Sequence, residues 1–147
     1  PDQALREHGI KLKFNPMPDV LEGQRVVVVD DSIVRGTTTR KIVEMLRGAG
    51  ATEVHLRISS PPVIAPCFYG IDMATKAEMI AANQTLEEVR AQIGADTLAY
   101  LSLEGLEAAT GHGDDRYCRA CLTGRYPTAV PAAADKDRFE ATQLPVA

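Results

Sequence analysis

The sequence predicts an α/β protein built on a parallel sheet, and three observations carry that expectation. Short β-branched runs alternate with amphipathic stretches of helical period, the pattern of βαβ units. Val26-Val27-Val28-Val29 is apolar without alternation, as a strand covered on both faces is. Gly and Pro punctuate the joins at Gly23, Gly50, Pro61 and Gly94.

A short helix is expected near Asp2 to His8 and an extended stretch from Lys11 to Asn15, then a turn through Pro16, Pro18 and Gly23. Arg25 to Val29 reads as a strand. From about Thr39 to Ala49 a helix places Ile42, Val43, Leu46 and Ala49 on one face, with Gly50 at its C′ position. Burying such a stripe stabilises by roughly 1.5–3 kcal/mol per large side chain. Glu53 to Ser59 is the next strand, and Pro61 to Pro66 keeps the chain extended on its way to Cys67. Helices follow near Lys76 to Ala82 and Leu86 to Ile93. The second is opened by the capping box Thr85-Leu86-Glu87-Glu88 and closed by Gly94. Asp96 to Leu101 forms a third strand, with a short helix after Ser102. There is no internal repeat, and the alternation implies right-handed crossovers.

Composition narrows the classes of function. A chain of 147 residues with 45% apolar content can build one core, burying about 70% of its unfolded surface. No run of 18 or more apolar residues and no charged-then-apolar leader occurs, so neither a membrane span nor export is expected, and the cytoplasm is the expected compartment. A net charge of −4 counts against a nucleic-acid partner, because a duplex binder needs a basic face to displace counterions. Any phosphate recognition must then be local, by backbone amides and a metal.

The densest chemistry lies where the first strand meets its helix. An apolar strand ending in charge puts Asp30 and Asp31 at its carboxyl edge, where open α/β sheets bind ligands. Ser32, Gly36, Thr37 and Thr38 add hydroxyls and unencumbered amides at a helix N-terminus, which attracts anions. An anionic sugar phosphate fits both halves. The plainer reading is an ordinary βα turn with solvated acids and a threonine N-cap. Two acids, an Arg, a Gly and four hydroxyls within ten residues exceed what one cap requires. Asp30-Asp31-Ser32-Ile33-Val34-Arg35-Gly36-Thr37-Thr38 resembles the phosphoribosyl pyrophosphate (PRPP) motif of type I phosphoribosyltransferases. Its Ser-Ile-Val-Arg-Gly-Thr form resembles that of the glutamine PRPP amidotransferases, also called amidophosphoribosyltransferases. The resemblance continues through Ile58 to Pro62, Pro66 to Asp72, Ile93 to Leu98 and Cys118 to Thr128, and so covers most of the chain up to about Pro131. Ala132 to Ala147 carries no signal.

Three cysteines cannot all pair as disulfides, and Cys118-x-x-Cys121 has the spacing with which two thiolates grip one metal centre. From spacing alone the pair is open between a zinc grip, a redox dithiol and no role. A redox dithiol usually opens a helix after a strand, whereas this pair follows a Gly/Asp-rich stretch, Gly111 to Asp115, which favours ligation. The resemblance implies more. The amidotransferase branch with this C-terminal sequence carries a four-iron four-sulfur (4Fe-4S) cluster held by four cysteines. Cys67, Cys118 and Cys121 match three of them, and the fourth would lie upstream of Pro1. The cluster is then a structural, oxygen-sensitive element without electron transfer.

The resemblance further implies a partial type I phosphoribosyltransferase-like sheet over 1–110, starting in the mobile lid loop, with a C-terminal cysteine-bearing helical/loop extension that holds a cluster-binding CxxC loop over 111–131, and a flexible tail over 132–147. The chain is expected to be a C-terminal fragment, inactive alone, with the glutaminase domain and its N-terminal cysteine nucleophile upstream and lost strands leaving an unpaired parallel edge. The implied reaction joins glutamine-derived ammonia to PRPP, giving 5-phosphoribosylamine and pyrophosphate, the first step of purine synthesis. Asp30 and Asp31 would hold ribose hydroxyls and support Mg²⁺, and Ser32 to Thr38 would cradle the 5′-phosphate, with Arg35 as readily solvent-facing. No catalytic nucleophile is assigned within the chain. A homotetramer inhibited by purine nucleotides is also implied. Lys11 and Lys13 share a face that could approach pyrophosphate or lie in solvent. His8, His55 and His112 read as packing or surface residues, and Tyr69 and Tyr126 as shields of the cysteine loops. Two other classes remain: a PRPP-binding regulator, which lacks a recognisable DNA-binding helix here, and a purine-salvage phosphoribosyltransferase, which leaves the cysteines unexplained.

Overall fold

A computed structural model describes residues 15–73, 75–111 and 116–130. In chain order its elements are α1 (Pro18–Leu21), β1 (Arg25–Asp30), α2 (Thr37–Gly48), β2 (Glu53–Ile58), a 3-10 turn (Lys76–Glu78), α3 (Ile80–Asn83), α4 (Leu86–Ile93), β3 (Thr97–Tyr100), α5 (Leu103–Thr110) and α6 (Ala120–Thr123). The helix expected near Asp2 to His8, the pair Lys11 and Lys13, and His112 lie outside the described residues. Where a turn was expected, Pro18 opens the short helix α1, its fixed φ suiting a first helical position.

The three strands form one parallel sheet in the order β1-β2-β3. Asp30 stands beside Ile58, and Ile58 beside Tyr100. The carboxyl ends of all three strands therefore share one rim. Ser59 extends the first pairing, its N–H donating to the Asp30 carbonyl at 2.9 Å, and Leu101 N–H reaches the Ile58 carbonyl at 2.8 Å.

One face of the sheet carries the core. Val54, Leu56, Ile58 and Leu98 pack with Val43 of α2, with Ile80 of α3, with Val89 and Ile93 of α4, and with Ile33 from the β1–α2 connection. The opposite face departs from the sequence reading. Val27 and Val29 are 60% and 72% exposed, because residues 26 and 28 point at the helices while 27 and 29 point away. Among the described residues nothing covers that second side. Beside the two valines it carries a polar network, with His55 Nδ1 2.9 Å from Thr97 Oγ1 and Arg57 Nη1 donating to the same hydroxyl at 3.0 Å. The valine run is thus a strand, but one covered on a single face.

The capping box of α4 forms as its sequence signature predicts: Glu88 N–H donates to Thr85 Oγ1 at 3.3 Å and Thr85 N–H to Glu88 Oε2 at 2.8 Å. Gly94 closes the helix at φ 82°. The helix expected over Lys76 to Ala82 is instead broken at Met79, whose backbone is extended. The break turns Met79 wholly into a second apolar cluster with Val63, Val34, Met73, Ala82, Cys121 and Leu122. That cluster lies between the β1–α2 loop and the segment bearing Cys118 and Cys121.

Candidate functional site

The β1–α2 connection forms a hollow of about 300 Å³ at the sheet rim, lined by Asp30, Asp31, Ser32, Val34, Arg35, Gly36, Thr37, Thr38 and Thr39. Each acid organises the backbone after it: Asp31 N–H donates to Asp30 Oδ1 at 3.0 Å and Ser32 N–H to Asp31 Oδ1 at 2.9 Å. Ile33 follows and is 1% exposed. Of the residues read as the site it alone turns its side chain into the core and stays out of the hollow, anchoring the loop from beneath. Gly36 then takes a left-handed conformation, φ 76°, and caps α2. The first amide to bond within the helix is Arg40, to the Gly36 carbonyl at 2.9 Å. The amides of Thr37, Thr38 and Thr39 consequently point out of the helix, at the positive end of its dipole.

The acids and the outward amides line the same hollow and favour opposite charges. Burial raises the pKa of Asp30; the Asp31 amide opposes the shift and the Asp31 charge adds to it. A carboxyl raised in this way binds a proton more readily folded than unfolded, so its contribution to stability falls as pH rises through that range. A cation between the two acids relieves the same repulsion. The outward amides, in contrast, suit an anion.

Arg35 is held by Glu78. Its Nε donates to Glu78 Oε1 at 3.0 Å. This guanidinium, together with the Thr75 amide and hydroxyl, lowers the Glu78 carboxyl to about 2. Thr39, 4% exposed, and Glu78 were read from sequence only as parts of helices and not as part of the site. Thr75-Lys76-Ala77-Glu78 has the capping-box spacing that marks Glu78 as ordered. Its pairing with Arg35 across 43 residues has no local signature.

A second group gathers the cysteines. Ile64 and Ala65 N–H donate to the Cys121 carbonyl at 2.9 and 3.1 Å, and Tyr126 OH donates to the Pro66 carbonyl at 2.7 Å. These bonds strap the segment before Cys67 to the one bearing Cys118 and Cys121. Tyr126 meets Phe68 edge-on at 5.2 Å and Tyr69 at 6.2 Å. All three thiols are free, and Tyr69 N–H donates to Cys67 Sγ at 3.4 Å. Burial raises the Cys121 pKa, and the charges of Cys67 and Cys118 raise it further. Cys121 sits inside the single helical turn α6. Among the described residues no three His, Cys, Asp or Glu side chains close on a single metal ion.

A parallel sheet with an acidic strand end and an anion-ready helix start at its rim is the partial fold of a type I phosphoribosyltransferase. No protein-family model matches the chain. It is 57% identical over 139 residues to an amidophosphoribosyltransferase of Synechocystis, covering 95% of this chain and 28% of that protein. An amidophosphoribosyltransferase of Methanocaldococcus jannaschii is 61% identical over 130 residues, which are 88% of this chain and 27% of that one. Among solved structures, a Bacillus subtilis glutamine PRPP amidotransferase complexed with ADP and GMP superposes with a TM-score of 0.78 at 57% identity. It covers 90% of this chain and 30% of its own. This chain is therefore a homologue of the amidophosphoribosyltransferases, of which it spans a little over a quarter of the length.

Gly36→Ala is expected to lower stability by about 1–3 kcal/mol, since the position is left-handed and an added Cβ would meet Ile80 Cδ1 at 2.9 Å. Urea unfolding of the two proteins measures the difference.

Proposed function

We propose that the chain forms the PRPP-binding part of an amidophosphoribosyltransferase, the enzyme that joins glutamine-derived ammonia to PRPP and releases 5-phosphoribosylamine and pyrophosphate, opening purine synthesis. The observation that carries this reading is the hollow itself, lined by two carboxylates and by the three threonines whose amides point out of the helix. A ribose bearing a 5′-phosphate needs acceptors for its hydroxyls and donors for its phosphate, and the loop from Asp30 to Thr38 offers both in one turn. The identity to named amidophosphoribosyltransferases favours this reading over a PRPP-binding regulator or a salvage transferase.

Displacement of pyrophosphate from the anomeric carbon passes through an electron-deficient sugar, so the protein has to orient and screen charge. Asp30 and Asp31 accept from the ribose hydroxyls and fit Mg²⁺, a hard ion that takes carboxylate oxygens. When bound, Mg²⁺ neutralises the departing pyrophosphate. Ser32, Gly36, Thr37 and Thr38 donate to the 5′-phosphate from backbone and hydroxyl. Ile33 and Val34 contribute through the backbone and by packing. No residue of this chain is proposed as the nucleophile that releases ammonia from glutamine.

Cys67, Cys118 and Cys121 are assigned to an iron-sulfur cluster of the 4Fe-4S kind, which binds through cysteine thiolates. The three thiols are free and close enough for Cys67 and Cys118 to raise the Cys121 pKa, and the resemblance of the Cys118 to Thr128 block to the iron-sulfur amidotransferases supports the reading. A fourth thiolate would come from outside this sequence. The straps from Tyr126 and Cys121 hold the three in place, and the cluster would brace the segment they carry. A full-length homotetramer under purine-nucleotide inhibition completes the proposal; the Bacillus subtilis relative was solved with ADP and GMP. A cytoplasmic location belongs to the same proposal; among the described residues no helix is long and apolar enough to cross a membrane.

Replacing Asp30 and Asp31 together by Asn is expected to abolish calorimetric binding of Mg²⁺-PRPP while leaving the circular dichroism spectrum unchanged. Unaltered affinity would refute the ribose-site assignment. For the cysteines, Cys118→Ser in full-length protein purified without oxygen is expected to lose bound iron, and full retention by iron assay would defeat the cluster proposal.

A further inference from the structure

Three consecutive residues of the rim loop, Val34, Arg35 and Gly36, are each held by the segment 78–80. Ile80 N–H donates to the Val34 carbonyl at 2.9 Å. Glu78 Oε1 accepts from Arg35 Nε at 3.0 Å. Ile80 Cδ1 fills the space that a Cβ on Gly36 would occupy. Met79, between them in sequence, is wholly buried in the cluster that includes Val34. Glu78 is itself fixed, because its Oε2 accepts from the Thr75 amide at 2.9 Å and the Thr75 hydroxyl at 3.0 Å.

The ion pair has little to offer stability. Its side chains are 39% and 47% exposed, and water screens pairs so placed. Its geometry matters more. Glu78 engages only Nε, and among the described residues neither Nη1 nor Nη2 of Arg35 has an acceptor. Arg35 lines the hollow. A guanidinium fixed through Nε presents its two terminal nitrogens as a fork, the geometry that matches a phosphate.

We infer that Glu78 is a positioning residue for Arg35, holding the guanidinium so that its free Nη edge meets a phosphate oxygen of a sugar phosphate in the hollow. This rests on the sugar-phosphate reading given above. A solvated Arg on a mobile stem would lose rotamer freedom on binding; one already held by Glu78 loses less.

A double-mutant cycle on the full chain tests this, with ribose 5-phosphate and Mg²⁺ as the probe and calorimetry as the readout. Glu78→Gln keeps the side chain's shape and removes its charge, and Arg35→Gln removes the fork. If Glu78 acts through Arg35, each single variant weakens binding about fivefold and the double variant weakens it no further, a coupling expected only of residues that act as a unit. Wild-type affinity in Glu78→Gln, or effects that multiply to about 25-fold in the double variant, would overturn the inference. If Glu78→Gln does not fold, Glu78→Asp takes its place in the cycle, since it draws the carboxylate back from Nε while keeping its charge. A wild-type chain that does not bind the probe, or binding that survives Asp30→Asn with Asp31→Asn, would instead refute the sugar-phosphate reading and the inference with it.

Discussion

The left-handed turn at Gly36 is the constraint from which the rest of the site follows. The chain leaves β1 at Asp30 and must begin α2 at Thr37, while Ile33 is buried beneath the loop. Only a residue at φ 76° reverses the path in so few steps, and the side chain of Ile80 occupies the space below it. Once that turn is made, the amides of Thr37 to Thr39 emerge at the hollow that the acids also line, so that groups suited to an anion and groups suited to a cation share one loop. Larger side chains at this position would push Ile80 out of the core or force α2 to start elsewhere.

The same packing reaches the cysteines. Met79 and Val63 lie between Val34 of the rim loop and Cys121 and Leu122 of α6. The break in the helix at Met79 is thus a packing solution: the extended backbone there frees Ile80 to support Gly36 and Glu78 to meet Arg35, while the Met79 side chain fills the gap toward α6. Methionine suits such an irregular space, being unbranched and polarizable. The acid-and-threonine loop and the cysteine-bearing segment are in this way built on one small apolar cluster, and the Tyr126 and Cys121 straps tie the second of them down.

Much of this was legible in the sequence. The strand starts, the α4 capping box and the acid-to-threonine run are local patterns, and local patterns survive folding because their hydrogen bonds close within a few residues. Ile33 could not be separated from its neighbours, since a run of nine residues does not reveal which one turns inward. The one-sided burial of β1 was also hidden: a valine run describes a strand equally well whether one face or both are covered. Glu78 and the break at Met79 depend on residues more than forty positions away, and helical propensity over Lys76 to Ala82 gave way to that tertiary demand.

A phosphate seated on the amides following Gly36 can be read from the amide nitrogen–proton NMR spectrum of the isotopically labelled chain during titration with Mg²⁺ and ribose 5-phosphate. The largest, saturable shifts are expected on Gly36, Thr37, Thr38 and Thr39, with smaller ones at Asp31 and Ser32. Shifts centred elsewhere, on the Tyr117 to Arg125 segment for example, or none at the Gly36 turn, would contradict it.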